Sequence, residues 1–221
     1  MTKLVIFDLD GTLLDTLGDL ANACNHALAR CGYPPHGKDA YRHFVGKGIM
    51  NLFRSALPED SRDNVTVERM REYFIPYYNE HKCDITQPYP GIISLLDRLT
   101  AAGIMIAVAS NKYQEGTEQL VERFFGEYDF AAVLGQRDGM PIKPDAGIIY
   151  EAMRLAGDVT AEETVYCGDS DVDMMTGRNA GVRTIGVTWG FREREELEAY
   201  SPWMTVDTPC QIFASVTDDL K

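Results

Sequence analysis

The run Leu4 to Phe7 is wholly apolar and stops at Asp8, so it reads as a short strand buried on both faces, as in a parallel sheet. Beyond it, Leu17, Leu20, Ala21, Cys24, Leu28 and Cys31 recur at helical spacing. Asp15 stands where a helix cap would, and Gly32 fits the stop. Pro34 and Pro35 then break the chain. From Asp39 to about Lys82 the pattern stays helical, with helices predicted over Met50 to Leu57 and Val67 to Asn79 and a turn-prone GKG at 46–48. From Tyr89 the rhythm changes. Helices over Ile92–Ala102, Glu115–Phe125, Gly147–Leu155 and Val172–Ala180 alternate with apolar runs at Ile104–Ala109, Phe130–Leu134, Val165–Cys167 and Thr184–Val187.

Strands alternating with helices imply an α/β protein: a Rossmann-like parallel sheet with helices on both faces. The first strand belongs with the alternating part, so the all-helical stretch is an insertion after it. The expected division is a core of residues 1–14 and 85–221 and a small α-helical domain of residues 15–84, with hinges near Thr12–Asp15 and Asp84–Pro90. No internal repeat or low-complexity segment interrupts this plan.

The 221 residues carry 34 acids against 21 bases, a net charge of −13. Such a field disfavours nucleic acid and anionic membrane as partners, and a small anionic substrate would need local cations or a metal. Five cysteines, at 24, 31, 83, 167 and 210, form no CxxC pair and read as reduced thiols. The apolar run before Asp8 is too short for a signal peptide, and no later run spans a bilayer, so a cytoplasmic location is expected.

Ligands of open α/β sheets bind beyond the carboxyl ends of the strands, which directs attention to the polar residues after each apolar run. Asp8 and Asp10 in FDLDGT put two carboxylates at one strand end, a pair that calls for a cation or a shared proton. Ser110 and Asn111 end the second run and can bond an anion. Lys143 precedes Pro144, which holds it extended. Gly168 and Asp169, with Asp171 and Asp173 close behind, offer the oxygen ligands that a hard cation such as Mg²⁺ prefers. Each alone has an ordinary alternative: a solvated turn, a helix cap (Asp171 among them) or a surface lysine. Lys47, between two glycines, is either a solvated loop lysine or a cation that closes over a substrate carboxylate.

In this order, each at a predicted strand end, the four groups resemble the motifs of the haloacid dehalogenase superfamily: Asp8–Asp10–Gly11–Thr12, Ser110, Lys143, and Gly168–Asp169 with Asp173. The resemblance covers essentially the whole chain, the helical insertion corresponding to a cap. VGKGI at 45–49 and VTWGFR at 187–192 are most similar to the phosphoglycolate phosphatase branch. The resemblance implies a Mg²⁺-dependent phosphatase of a small phosphate monoester, 2-phosphoglycolate foremost, working through an aspartyl phosphate. It implies Asp8 as nucleophile and Asp10 as general acid and base, with Ser110, the amide of Asn111 and Lys143 on the phosphoryl oxygens and Thr12 and Lys47 on the substrate. The metal would take a carboxylate oxygen of Asp8, the main-chain carbonyl of Asp10 and a carboxylate oxygen of Asp169. Asp173 would hold metal-bound water or orient Lys143. The chain would act alone or as a homodimer.

A carbon–halogen hydrolase, or a phosphonate hydrolase, would not be expected to keep an acid at position 10. A sugar phosphomutase resembling β-phosphoglucomutase shares the four motifs, but its cap carries a Ser-Arg pair where this chain reads GKGIMN. A pyrophosphatase and a nucleotide or sugar phosphate phosphatase remain alternatives. So does a non-enzymatic binding protein on the same fold, since fold alone does not establish function.

Overall fold

A computed structural model describes residues 1–217. The chain opens with β1 (Leu4–Phe7) and a two-residue strand β2 (Leu14–Asp15). Four helices follow: α1 (Leu17–Cys31), α2 (Tyr41–Phe44), α3 (Ile49–Ala56) and α4 (Asn64–His81). Strand β3 (Gln87–Pro88) then returns antiparallel to β2, Leu14 opposite Pro88 and Asp15 opposite Gln87. The rest alternates: α5 (Ile92–Ala101), β4 (Met105–Tyr113), α6 (Gln114–Phe125), β5 (Phe130–Gln136), α7 (Gly147–Leu155), β6 (Thr164–Gly168) and α8 (Asp171–Ala180). It closes with β7 (Arg183–Val187), α9 (Arg194–Glu198), β8 (Met204–Val206) and α10 (Pro209–Thr217).

Six strands form one parallel sheet in the order β5-β4-β1-β6-β7-β8. The central β1 is apolar throughout because both its faces are covered. Val5 and Phe7 join a cluster with Leu95, Leu96 and Leu99 of α5 and Leu120 of α6. Leu4 and Ile6 point the other way, into a cluster with Ile149 and Ala152 of α7. From β1 the chain steps outward to β4 and β5, then crosses back to β6 on the other side of β1. The ends of β1, β4 and β6 therefore meet at the point where the strand order reverses.

The helices between β2 and β3 bury a third cluster. Leu17, Leu20, Cys24 and Leu28 of α1 face Val67, Met70, Phe74 and Tyr78 of α4, each set at the three- and four-residue spacing of one helix face. Gly32 ends α1 with φ +84, a left-handed conformation that glycine adopts without strain.

The structure shifts several expected boundaries. Strand β4 runs on to Tyr113 rather than stopping at Ala109, carrying Ser110, Asn111 and Lys112 in extended backbone. Thr16, not Asp15, occupies the cap position of α1, although Asp15 Oδ1 accepts from Leu17 N at 3.3 Å. Asp171 is not a cap either. Ser170 caps α8, and its hydroxyl and amide exchange bonds with Asp173. Strand β8 and helix α10 went unanticipated, β8 being three residues long at the sheet edge.

Candidate active site

The turn after β1 sets the site. Asp8 N–H donates to Cys167 O of β6 at 2.9 Å, continuing the sheet ladder, and Leu9 O accepts from Leu13 and Leu14 as the chain doubles back. Gly11 sits at φ +89, and a Cβ there would lie 2.3 Å from Oδ2 of Asp169, so both the turn and the packing require glycine.

Asp8, Asp169 and Asp173 converge, with one carboxylate oxygen of each within 4.8 Å of the others, and all three are buried. Lys143, 2 % exposed, reaches in from the loop after β5. Its ammonium lies 3.0 Å from Asp8 and 2.7 Å from Asp173, and it donates to Ala109 O and the Tyr166 hydroxyl. Asp173 Oδ1 also accepts from Tyr166 at 2.6 Å, and Oδ2 from Ser170 at 2.6 Å. Asp169 accepts from the Thr12 hydroxyl at 3.1 Å and from Phe191 N–H at 2.7 Å. The Asp10 carboxylate is held apart, by Lys112 at 3.1 Å to each oxygen.

Burial pushes the Asp8 carboxyl up to about 7; Lys143 opposes this, while Asp173 and Asp10 add to it. Burial, then the charges of Asp173 and Asp8, drive Asp169 well above the usual carboxylate range. Burial acts the same way on Asp173, but there the Lys143 ammonium and the bonds from Lys143, Ser170 and Tyr166 win, and its carboxyl lies below its usual value. Burial would lower Lys143, yet Asp173 and Asp8 together hold it above its usual value.

With all three carboxylates ionised, one ammonium would leave two negative charges unbalanced, and the upward push on Asp8 and Asp169 marks that surplus. That surplus, met by oxygen donors only, fits a divalent hard cation. Each Asp173 oxygen accepts two hydrogen bonds and each Asp169 oxygen one, so Asp8 and Asp169 are the carboxylates with more capacity left to ligate.

A cleft opens between these strand ends and the helical insert. Asp8, Asp10, Ser110 and Lys112 form its floor, and Val45, Ile49, Leu52, Phe74 and Tyr78 its apolar wall. Ser110 is 2 % exposed, and its Oγ accepts from Lys112 N at 3.3 Å. The side chains of three residues expected on the substrate are engaged elsewhere, although Asn111, expected to act through its amide, still lines the cleft. The Thr12 hydroxyl is spent on Asp169. The Asn111 side chain bridges Gly46 O and the backbone of Lys143, tying the insert to the lysine loop. Lys47 lies outside the cleft wall, its side chain 57 % exposed and its ammonium 3.3 Å from Asp171.

Residues that sequence reasoning passed over complete the site. Arg192, 7 % exposed, donates to Arg42 O and Val45 O of the insert, and Arg42 donates back to Gly190 O at 3.0 Å. Trp189 Nε1 donates to Thr12 O. The segment VTWGFR thus joins Asp169 to the insert, and its only sequence signal was its likeness to the family. Lys112 had a plainer signal: a cation two residues beyond Ser110 in an apolar strand.

The fold and this site define the class. Residues 5–187 match the family model of haloacid dehalogenase-like hydrolases, and the chain belongs to that family. A phosphoglycolate phosphatase of Agrobacterium fabrum is 35 % identical over all of this chain and 93 % of its own length. Another, from Pseudomonas putida, is 33 % identical over 94 % of this chain and 77 % of that protein. A crystal structure of a provisionally assigned phosphoglycolate phosphatase from Lactobacillus delbrueckii subsp. bulgaricus superposes with a TM-score of 0.90 at 33 % identity, covering 98 % of this chain and 99 % of that one. Among the described residues no helix is long and apolar enough to cross a membrane.

Proposed function

We propose that this chain, a phosphatase of the haloacid dehalogenase-like family, hydrolyses 2-phosphoglycolate to glycolate and inorganic phosphate with Mg²⁺ bound at Asp8, Asp169 and the main-chain carbonyl of Asp10. The helical insert, residues 15–84, acts as a cap over the cleft. The observation that carries the substrate reading is the size of that cleft. About 50 Å³ lies free beside Asp8 and Asp10. That is room for a few water-sized centres in a partly open cleft, which suits a short leaving group. The names of the relatives point the same way.

In this mechanism a carboxylate oxygen of Asp8 forms a bond to phosphorus as the phosphorus–alkoxide bond breaks, giving an aspartyl phosphate. Asp10 supplies the proton that the departing glycolate oxygen takes up. It then removes a proton from the water that attacks the aspartyl phosphate, which releases phosphate and regenerates Asp8. Lys143 and Ser110 hold the phosphoryl oxygens as their charge redistributes. A divalent cation, when bound, shields the Asp8 charge from the incoming dianion and neutralises charge on the transferring group. Asp173 keeps Lys143 charged and aimed.

A panel of phosphate esters assayed with Mg²⁺ tests the reading: 2-phosphoglycolate, β-glucose 1-phosphate, pyrophosphate and nucleoside monophosphates. The expected result is the highest kcat/KM on 2-phosphoglycolate, abolished by EDTA. A higher value on a sugar phosphate, or conversion of β-glucose 1-phosphate to the 6-phosphate, overturns it. Asp8→Asn, nearly isosteric but without a nucleophilic oxygen, is expected to fold normally and lose turnover. Retention of more than a few per cent of activity rules out the covalent route.

A further inference from the structure

Lys112 occupies an unusual place. It lies near the end of β4, its side chain 3 % exposed, between Asp10 on the core side and Tyr78 of α4 on the insert side. Its ammonium is 3.1 Å from both oxygens of Asp10 and 4.7 Å from the centre of the Tyr78 ring. Among the described residues lining the cleft it is the one cation. Lys143 serves the other side of the site, Arg192 is committed to backbone carbonyls of the insert, and Lys47 pairs with Asp171 outside. The wall beyond Lys112 is mostly apolar, its hydroxyls being those of Tyr113, which donates to Asn79, and Tyr78, which is buried without a hydrogen-bond partner among the described residues.

We propose that Lys112 determines substrate specificity by selecting a leaving group that bears a carboxylate, its ammonium binding Asp10 in the free enzyme and both Asp10 and the substrate carboxylate in the complex. This rests on the phosphoglycolate reading of the same cleft. The geometry follows from the chemistry of the ester. Asp10 must meet the ester oxygen, and in a two-carbon acid the carboxylate is only two carbon atoms away. A cation that chelates Asp10 is therefore within reach of that carboxylate, and an ammonium has three N–H donors to divide between two acceptors. The surrounding apolar wall strengthens the attraction by excluding water. A neutral leaving group of the same size would gain nothing from Lys112, so the cation discriminates as well as binds.

The test compares kcat/KM for 2-phosphoglycolate and 2-hydroxyethyl phosphate, a neutral ester of similar size, in one preparation of each protein. Taking the ratio of the two cancels any difference in the amount of folded enzyme, and it also cancels the general loss caused by freeing Asp10. Wild type is expected to prefer 2-phosphoglycolate. In Lys112→Met that preference is expected to fall by roughly 10- to 100-fold, the worth of one charge-assisted hydrogen bond, with the change concentrated in KM for the acid. Lys112→Arg, which keeps the charge, is expected to restore part of it. A wild-type enzyme without preference overturns the phosphoglycolate reading, and the proposal with it. A preference that survives Lys112→Met intact overturns the proposal alone and leaves Lys112 as a support for Asp10.

Discussion

Gly190 lies where Asp169, the proposed metal-binding side chain, the β1 turn and the insert meet. A Cβ added there would sit 2.3 Å from Cβ and 2.5 Å from Oδ2 of Asp169, and 2.4 Å from Gly11 O. These gaps fall about an ångström short of ordinary contact, and Gly11 O is backbone, so no side-chain rotation relieves it. Gly190 is not at positive φ, so the penalty in Gly190→Ala is steric rather than conformational. Overpacking of this kind costs about 1–3 kcal/mol. At about 2–4 °C per kcal/mol for a chain of this length, Tm is expected to fall by roughly 2–12 °C. The same push displaces the carboxylate that Phe191 N–H and Thr12 hold, so the Mg²⁺ concentration needed for half-maximal phosphatase rate is expected to rise. Thermal unfolding in EDTA and a Mg²⁺ titration of the rate measure the two effects. Gly181→Ala is the control. Gly181 ends α8 at φ +71, and a Cβ there would meet nothing within 4 Å, so alanine costs roughly 1–2 kcal/mol of strain and leaves the Mg²⁺ requirement alone. Wild-type Tm and wild-type Mg²⁺ dependence in Gly190→Ala would refute the packing argument.

Asp169→Asn removes a carboxylate that burial and its neighbours disfavour, so Tm in EDTA is expected to rise at neutral pH, while the further rise caused by Mg²⁺ in wild type is lost; a lower Tm in EDTA contradicts the charge-surplus argument. Glu151, paired with Arg137 and held by it below its usual value of 4.5, has a depressed folded-state pKa. Its contribution is therefore complete above its unfolded value and disappears as pH falls through the folded one. In urea unfolding, Glu151→Gln is expected to cost up to about 1 kcal/mol at pH 7, the pair being partly solvated, and progressively less as pH falls below 4.5; a cost independent of pH shows that the charge is not involved.

What could be read from the sequence was what depends on local order. Leu4–Phe7 declares a two-faced strand because every position is apolar, and Asp8 and Asp169 fall at strand ends because each comes just after such a run, whereas Ser110 ends an apolar run but lies inside β4. Direction was not legible. Lys47 and Lys112 are both lysines beside the cleft segments, and the flanking glycines made Lys47 the more conspicuous. Only the extension of β4 past Ala109 turns Lys112 inward, and only the position of Asp171 draws Lys47 out. Thr12 illustrates the same limit: its hydroxyl meets a carboxylate 157 positions away, a pairing no local pattern encodes. Arg192 follows a strand like many solvated arginines, and its burial is set by carbonyls of the insert.

The ribbon of β2 and β3 brings the chain back to where it left. Leu14 faces Pro88, Asp15 faces Gln87, and Tyr89 N–H donates to Leu13 O at 3.1 Å. Facing residues of an antiparallel pair stand about 5 Å apart, a gap that a two-residue hairpin closes. Everything between is, for the sheet, a detour of zero net displacement. The hydrophobic cluster of that detour draws one buried residue from the rest of the described chain, Phe191. Its apolar packing is thus nearly self-contained, and its ties to the strand ends include the polar ones from Asn111, Arg42 and Arg192. The insert is therefore joined to the site at a few named bonds, while the spacing of the strand ends is held by the sheet itself.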